Sequence, residues 1–269
     1  MQQSNIQIKE VQFSNAELLP EIVKLINEGH TVTLRLKGFS MRPFLENDRD
    51  KALLTRPENI KVGLPVLARI STGTYVLHRI VNINGDNITL LGDGNLTTES
   101  CLKTDIEALA IGFYRKGRNK LDSIYSAKWK AYSVLWTSLR PIRRYLLFMY
   151  RHLPKRQYYL SSNNTIEEEN IIGQIFIKQK MKKKTGFNLR TICGEKIIVA
   201  EGKENIDFSN IIALNESAAY LWEKAADNEF TAEDMVKWLT EEYEIDDETA
   251  RQDANTLAKQ WIEAGIVNA

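Results

Sequence analysis

The chain has 269 residues, 36 Lys or Arg against 35 Asp or Glu, and a formal net charge of +1. Apolar residues make up 43%, enough for buried cores, which excludes a globally disordered chain, and the length suits two modest domains. The near-neutral total hides a separation: residues 123–156 hold eight Lys or Arg and no acid, whereas 201–269 hold 17 acids and five bases, net −12. Oppositely charged segments point to units with different partners.

Two cysteines, Cys101 and Cys193, are too few and too far apart for a disulfide framework or a zinc site, so a reduced, cytoplasmic setting is expected, with no metal or cofactor. The opening MQQSNIQIKEVQFSN lacks the basic-then-apolar pattern of a signal peptide. No window reaches the roughly 18 apolar residues of a membrane span.

Residues 16–28 place Leu18, Ile22, Leu25 and Ile26 at helical spacing, and Gly29 stops that helix. From Thr31 the pattern alternates as a strand does, with Val32, Leu34 and Leu36 apolar. Further strands are expected at 51–55, 65–71, 74–83, 87–92 and 106–114, giving a mostly-β unit over about 30–118. Residues 123–153 return to helical period, with Tyr125, Trp129, Tyr132, Trp136 and Leu139 on one stripe and Pro141 breaking it. The polar stretch 157–180 reads as a linker with one candidate strand at 171–177. From Phe187 the order is three strands and three helices: a hairpin meeting at Gly194-Glu195, a strand at 210–214, then helices capped by Asn215, by Thr231 with Asp234, and by Asp246 or Asp247.

The chemistry starts at Gly38-Phe39-Ser40-Met41-Arg42-Pro43, where a serine just past a strand meets a proline turn. That alone marks a turn. The hairpin of 75–83 and 88–91 adds the second component. If Gly85-Asp86 forms its loop, His78 lies opposite Asp93; if Asn84-Gly85 does, His78 faces Leu91 and Asp93 is the diagonal neighbour. Both registers put the imidazole and the carboxylate on one face, as the base and orienter of a serine triad require. His30 and His152 read as surface residues, and Cys101 and Cys193 as ordinary thiols.

These segments resemble type I signal peptidases. Gly-Phe-Ser40-Met-Arg-Pro resembles their nucleophile box, and Val76-Leu-His78-Arg-Ile-Val81 the base box of the branch that uses His rather than Lys. Leu91-Gly92-Asp93-Gly94-Asn95 is similar to their later acidic box. The resemblance implies a coiled β fold, Ser40 as nucleophile, His78 as general base, Asp93 as the group that orients the imidazole, and backbone N–H groups near Ser40 as the oxyanion site. The family carries a second acid five or six residues after the first, and Glu99 stands in that place. Gly94 replaces an Asn of the family pattern.

The basic middle interleaves Trp129, Trp136, Tyr145 and Phe148 with Arg140, Arg143, Arg144 and Arg151. Its apolar stripe packs on the β unit, or lies in an anionic membrane surface, or binds nucleic acid, for which no recognition motif is present. The C-terminal third, through Gly186-Phe-Asn-Leu-Arg190, Ile212-Ala-Leu-Asn215, Ser217-Ala-Ala-Tyr-Leu-Trp222 and Gly265-Ile-Val267, resembles PqqD-like domains. That resemblance implies a small winged-helix-like fold that captures leader peptides of ribosomally made, modified peptides. The leader would add as a strand to the edge Asn210, Ile211, Ile212, Ala213 and Leu214, with the helix 249–262 behind it. A charge of −12 repels phosphate, so no nucleic-acid partner is expected.

The expected chain is thus α+β: a signal-peptidase-like serine peptidase domain over 1–120, a basic helical segment over 121–156, a linker over 157–180 and a PqqD-like domain over 181–269. The function expected is a cytoplasmic serine endopeptidase that cleaves the leader of a precursor peptide, with a peripheral membrane location as one of the open readings of its basic helices. The first alternative is a non-catalytic adaptor that delivers the precursor to a modifying enzyme or exporter. The second is a self-cleaving regulator of the repressor type.

Overall fold

The computed structural model describes residues 8–9, 13–152, 179–202 and 204–268. The body of the expected linker, with its candidate strand at 171–177, lies outside them. Two units divide the chain: one comprises 13–157 with 202–209, the other 1–12, 158–201 and 210–269. The segment 121–156, read from the sequence as separate from the β unit, falls within the first of these. The basic helices belong to the first unit, because Trp129 and Trp136 bury 96% and 91% of their surface in it.

In chain order, strand β1 (Ile8–Lys9) precedes helix α1 (Asn15–Asn27) and strand β2 (Thr31–Arg35). Then come β3 (Lys51–Thr55), β4 (Pro65–Arg69), β5 (Tyr75–Asn84), β6 (Asn87–Leu91), β7 (Glu99–Leu102), β8 (Ile106–Tyr114) and β9 (Leu121–Ser123). Helices α2 (Ala127–Ser138) and α3 (Arg143–His152) complete the first stretch.

In the first unit, Ser14 and Glu17 close a capping box on α1, whose Leu18, Leu19, Ile22 and Ile26 turn into the core. Gly29, at φ +102°, ends it. The strands form an antiparallel sheet in the order β2-β3-β8-β4-β5-β6-β7, with β9 on β8. Residues Asn205–Asp207 run parallel beside Thr31–Thr33. The β5–β6 hairpin closes through Gly85-Asp86, since Asn84 pairs with Asn87, and Gly85 supplies a φ of +59°. A bulge between Ile80 and Asn82 then shifts the register by one, so Arg79 pairs with Leu91.

The second unit holds β10 (Met181–Lys183), β11 (Phe187–Ile192) and β12 (Glu195–Glu201). Ile192 pairs with Glu195, so the hairpin loop is Cys193-Gly194, both at positive φ, one residue earlier than the sequence pattern suggested. Strand β13 (Asn205–Leu214) starts five residues before the expected 210, because Asn205–Asp207 have their own partner in β2. Three helices follow, separated by β14 (Glu229–Phe230) and closed by β15 (Val267–Asn268): α4 (Glu216–Ala225), α5 (Ala232–Glu242) and α6 (Asp247–Glu263). Their N-caps are Asn215, Thr231 and Asp246. Trp222, Leu221, Leu257 and Trp261 are all core, with Trp222 and Trp261 edge to face at 5.1 Å.

Candidate functional site

Ser40 sits in the turn between β2 and β3. Met41, Phe44 and Leu45 anchor that turn from below, each less than a tenth exposed. Gly38 takes φ +105° and donates its N–H to Asn47 Oδ1 at 2.6 Å. At the far end the buried Asp50 accepts the N–H of Glu46 and of Lys116, and its carboxylate also takes both Arg49 donors. Although desolvation of the buried group works against the charged form, these hydrogen bonds hold the Asp50 carboxyl below its ordinary range.

The loop after β6 clamps the serine turn from the other side. Gly94 N–H donates to the Ser40 carbonyl at 2.7 Å. A Cβ on Gly94 would stand 2.8 Å from the Phe39 carbonyl oxygen, so this packing requires glycine there. A Cβ on Gly92 would stand 2.5 Å from the Ser40 carbonyl oxygen and 3.0 Å from His78 Nε2. Two backbones and the imidazole therefore meet at a point only glycine permits.

His78, on β5, is 2% exposed. Its Nδ1 is bonded to the Glu99 carboxylate on β7. Burial holds the imidazole below its ordinary value of 6.5, and Glu99 opposes that by favouring the charged ring. Ser40 and His78 line one cleft of about 130 Å³, whose walls include Leu19, Leu34, Leu67 and Leu77. Among the described residues no hydrogen bond joins the Ser40 hydroxyl to His78.

Among the described residues Asp93 makes no hydrogen bond to the imidazole and acts on it only through its charge, which favours the protonated ring. The bulge in β5 moves Arg79, not His78, into its reach. The two form a bidentate pair, Nε to Oδ1 at 3.0 Å and Nη2 to Oδ2 at 2.8 Å, with both side chains 1% exposed. Arg79 Nη1 donates to Gly63 O and Ser133 Oγ, both at 2.8 Å. Tyr132 Oη donates to Asp93 Oδ2, and Trp136 Nε1 to the Asp93 carbonyl. Asp93 thus fastens α2 to the loop that clamps Ser40, while Phe44 stacks on Tyr132 with centroids 4.6 Å apart. Sequence reasoning missed Arg79 and Asp50; the available signal was the charged residue at an inward position beside an alternating run.

The other reactive groups stand aside. Burial pushes the Cys101 thiol up to about 11, which silences it as a nucleophile. His152 is exposed at the end of α3. Among the described residues no three His, Cys, Asp or Glu side chains converge as metal ligands do. No described helix is long and apolar enough to cross a membrane.

In the second unit the edge expected at Asn210, Ile211, Ile212, Ala213 and Leu214 is the end of β13. Ala213 and Leu214 already have a strand partner there: Lys9 and Ile8 of β1 pair with them in antiparallel register. Residues 195–267 match the family model for coenzyme PQQ synthesis protein D (PqqD). The match covers β12 through β15, so the C-terminal part is PqqD-like. No curated protein matches the chain. In the PqqD-like part, α6 turns Ala250, Ala254, Leu257, Ala258 and Trp261 into the core.

Proposed function

We propose that the chain is a serine endopeptidase that recognises the leader of a precursor peptide through its PqqD-like part and cleaves the precursor at Ser40. A PqqD-like part points to leader-peptide binding in the making of modified peptides. The peptidase reading goes further and rests on one observation: a buried imidazole, held at Nδ1 by Glu99, shares an apolar cleft with Ser40.

In this reading His78 Nε2 takes the Ser40 proton as the hydroxyl attacks the scissile carbonyl, and Glu99 stabilises the imidazolium that forms. The Ser40 N–H, which has no protein acceptor among the described residues, holds the oxyanion. The imidazolium then protonates the leaving amine, and water releases the acyl-enzyme by the same steps. The adaptor reading draws on the missing Ser40–His78 hydrogen bond, although such bonds are commonly long without substrate.

A precursor held at two places binds more tightly than one held at one. A substrate carrying its leader should therefore show a KM at least about tenfold below that of a short peptide spanning only the scissile bond. Excess free leader should raise the KM of the long substrate and leave the short one unchanged. Equal KM values, untouched by free leader, would show that the PqqD-like part does not deliver substrate; no cleavage by wild type would leave the adaptor.

We also place the peptidase unit on an anionic membrane. Seven of the twelve large hydrophobic side chains exposed among the described residues fall between Tyr125 and Met149. Val134 and Leu135 project from α2, and Tyr145, Phe148 and Met149 from α3, among Lys130, Arg140 and Arg144 with no acid between. Each basic residue near such a surface contributes about 1 kcal/mol. The triple variant Lys130→Gln, Arg140→Gln, Arg144→Gln should therefore lose roughly 100-fold in partition onto phosphatidylserine vesicles, read by sedimentation at low salt. Equal sedimentation of variant and wild type would return these helices to ordinary packing.

A further inference from the structure

The partner of β13 is unusual for its source. Ile8 and Lys9 lie about 200 positions before Leu214 and Ala213 in sequence, yet they pair with them in antiparallel register. They do so within one unit, which draws in residues 1–12 from the start of the chain. In the sequence, Ile6 and Ile8 alternate with Gln7 and Lys9, the period of a strand. The strand is only two residues long, whereas a central strand of a stable sheet is usually longer. A ladder of only two residues is easily exchanged.

We infer that β1 is a built-in occupant of the peptide-binding edge, a strand that an incoming leader must replace. The inference rests on the reading of that edge as the leader site and names its regulation. The covered positions, Ala213 and Leu214, belong to the edge to which a leader adds as a strand. Two strands cannot use the same backbone donors and acceptors, so occupancy by β1 and by a leader is exclusive. A tethered strand competes at an effective concentration near mM. Its presence lowers the apparent affinity of any peptide by the fraction of time the edge is open. It also covers main-chain groups that would otherwise invite edge-to-edge pairing between copies.

The probe is the chain's own segment, a fluorescent peptide of the sequence QQSNIQIKEVQ, so the result does not depend on which precursor the edge serves. A chain lacking Met1–Glu10 keeps Phe13 in the core and the Ser14 cap on α1. It should bind the peptide at least about tenfold more tightly than the full chain does, read by fluorescence anisotropy, and a scrambled peptide should bind neither. Ile8→Pro in the full chain, which removes a donor from β1, should open the edge to the peptide as the truncation does. If the truncated chain, folded by circular dichroism, binds the peptide no better than the scramble, β1 is not an occupant of this edge. Failure of the leader reading would appear elsewhere, as equal KM values for long and short substrates, while the peptide still bound the truncated chain.

Discussion

Glu99→Gln should lower kcat/KM for the precursor by roughly 10³-fold while leaving the melting temperature within a degree or two, and Ser40→Ala and His78→Ala should remove cleavage altogether. The expectation follows from the carboxylate at His78 Nδ1. An amide there can still accept a hydrogen bond, but it no longer stabilises the imidazolium and can hold the wrong tautomer, an exchange that costs about 10⁴ in a serine protease. The pH dependence separates this role from a structural one. Burial places the His78 pKa below the ordinary 6.5, so the acid limb of kcat/KM should lie below pH 6.5. Glu99 opposes the burial effect; without it the limb should move to still lower pH, even as the plateau collapses. The same shift bears on stability. A histidine depressed in the folded state binds fewer protons than the unfolded chain below about pH 6.5, so stability is fully present above that value and declines as pH falls through the folded pKa. Full activity of Glu99→Gln, or an acid limb unmoved by it, would remove Glu99 from the mechanism.

How far the site was legible depends on the range of the forces that build it. Ser40 and His78 stood out because turn chemistry and strand alternation are local, and the capping residues Asn215, Thr231 and Asp246 show in the sequence for the same reason. The choice between Asp93 and Glu99 was not local. Counting pairs outward from the Gly85-Asp86 loop gives the correct register as far as Asn82 and Thr89, but the bulge at Val81 then moves every later pair by one. No residue near Val81 announces it: between Ile80 and Ile83 there is neither glycine nor proline. Pairing of β1 with β13 was equally hidden, because contact across some 200 residues leaves no periodic trace. The aromatic stripe of α2 was visible, but not that Tyr132 and Trp136 use their polar tips on Asp93.

Asp93→Asn should be the most destabilising single change in the first unit, and any loss of cleavage should follow its loss of structure. Arg79 is 1% exposed, and its guanidinium divides between the two Asp93 oxygens, Gly63 O and Ser133 Oγ. With an amide at position 93 the guanidinium stays charged in a site that water does not reach, since arginine does not give up its proton. Removing one partner of such a pair costs about 3–5 kcal/mol, which for a unit of this size lowers the melting temperature by roughly 10 °C. The cation also lies 4.9 Å over the Trp129 ring, so a strained Arg79 should loosen α2 as well and alter tryptophan fluorescence before global unfolding. The double variant Arg79→Met, Asp93→Leu removes both charges and keeps apolar volume. It should recover most of the lost stability, because replacing a buried pair by packed hydrophobes is often neutral. Its kinetics then isolate geometry from charge. If the refolded double variant cleaves the precursor, the ion pair only fastens the loop carrying Gly92 and Gly94 against Ser40. If Asp93→Asn instead melts like wild type while losing activity and shifting the pH profile, Asp93 acts on the imidazole in solution and the pairing with Arg79 is secondary.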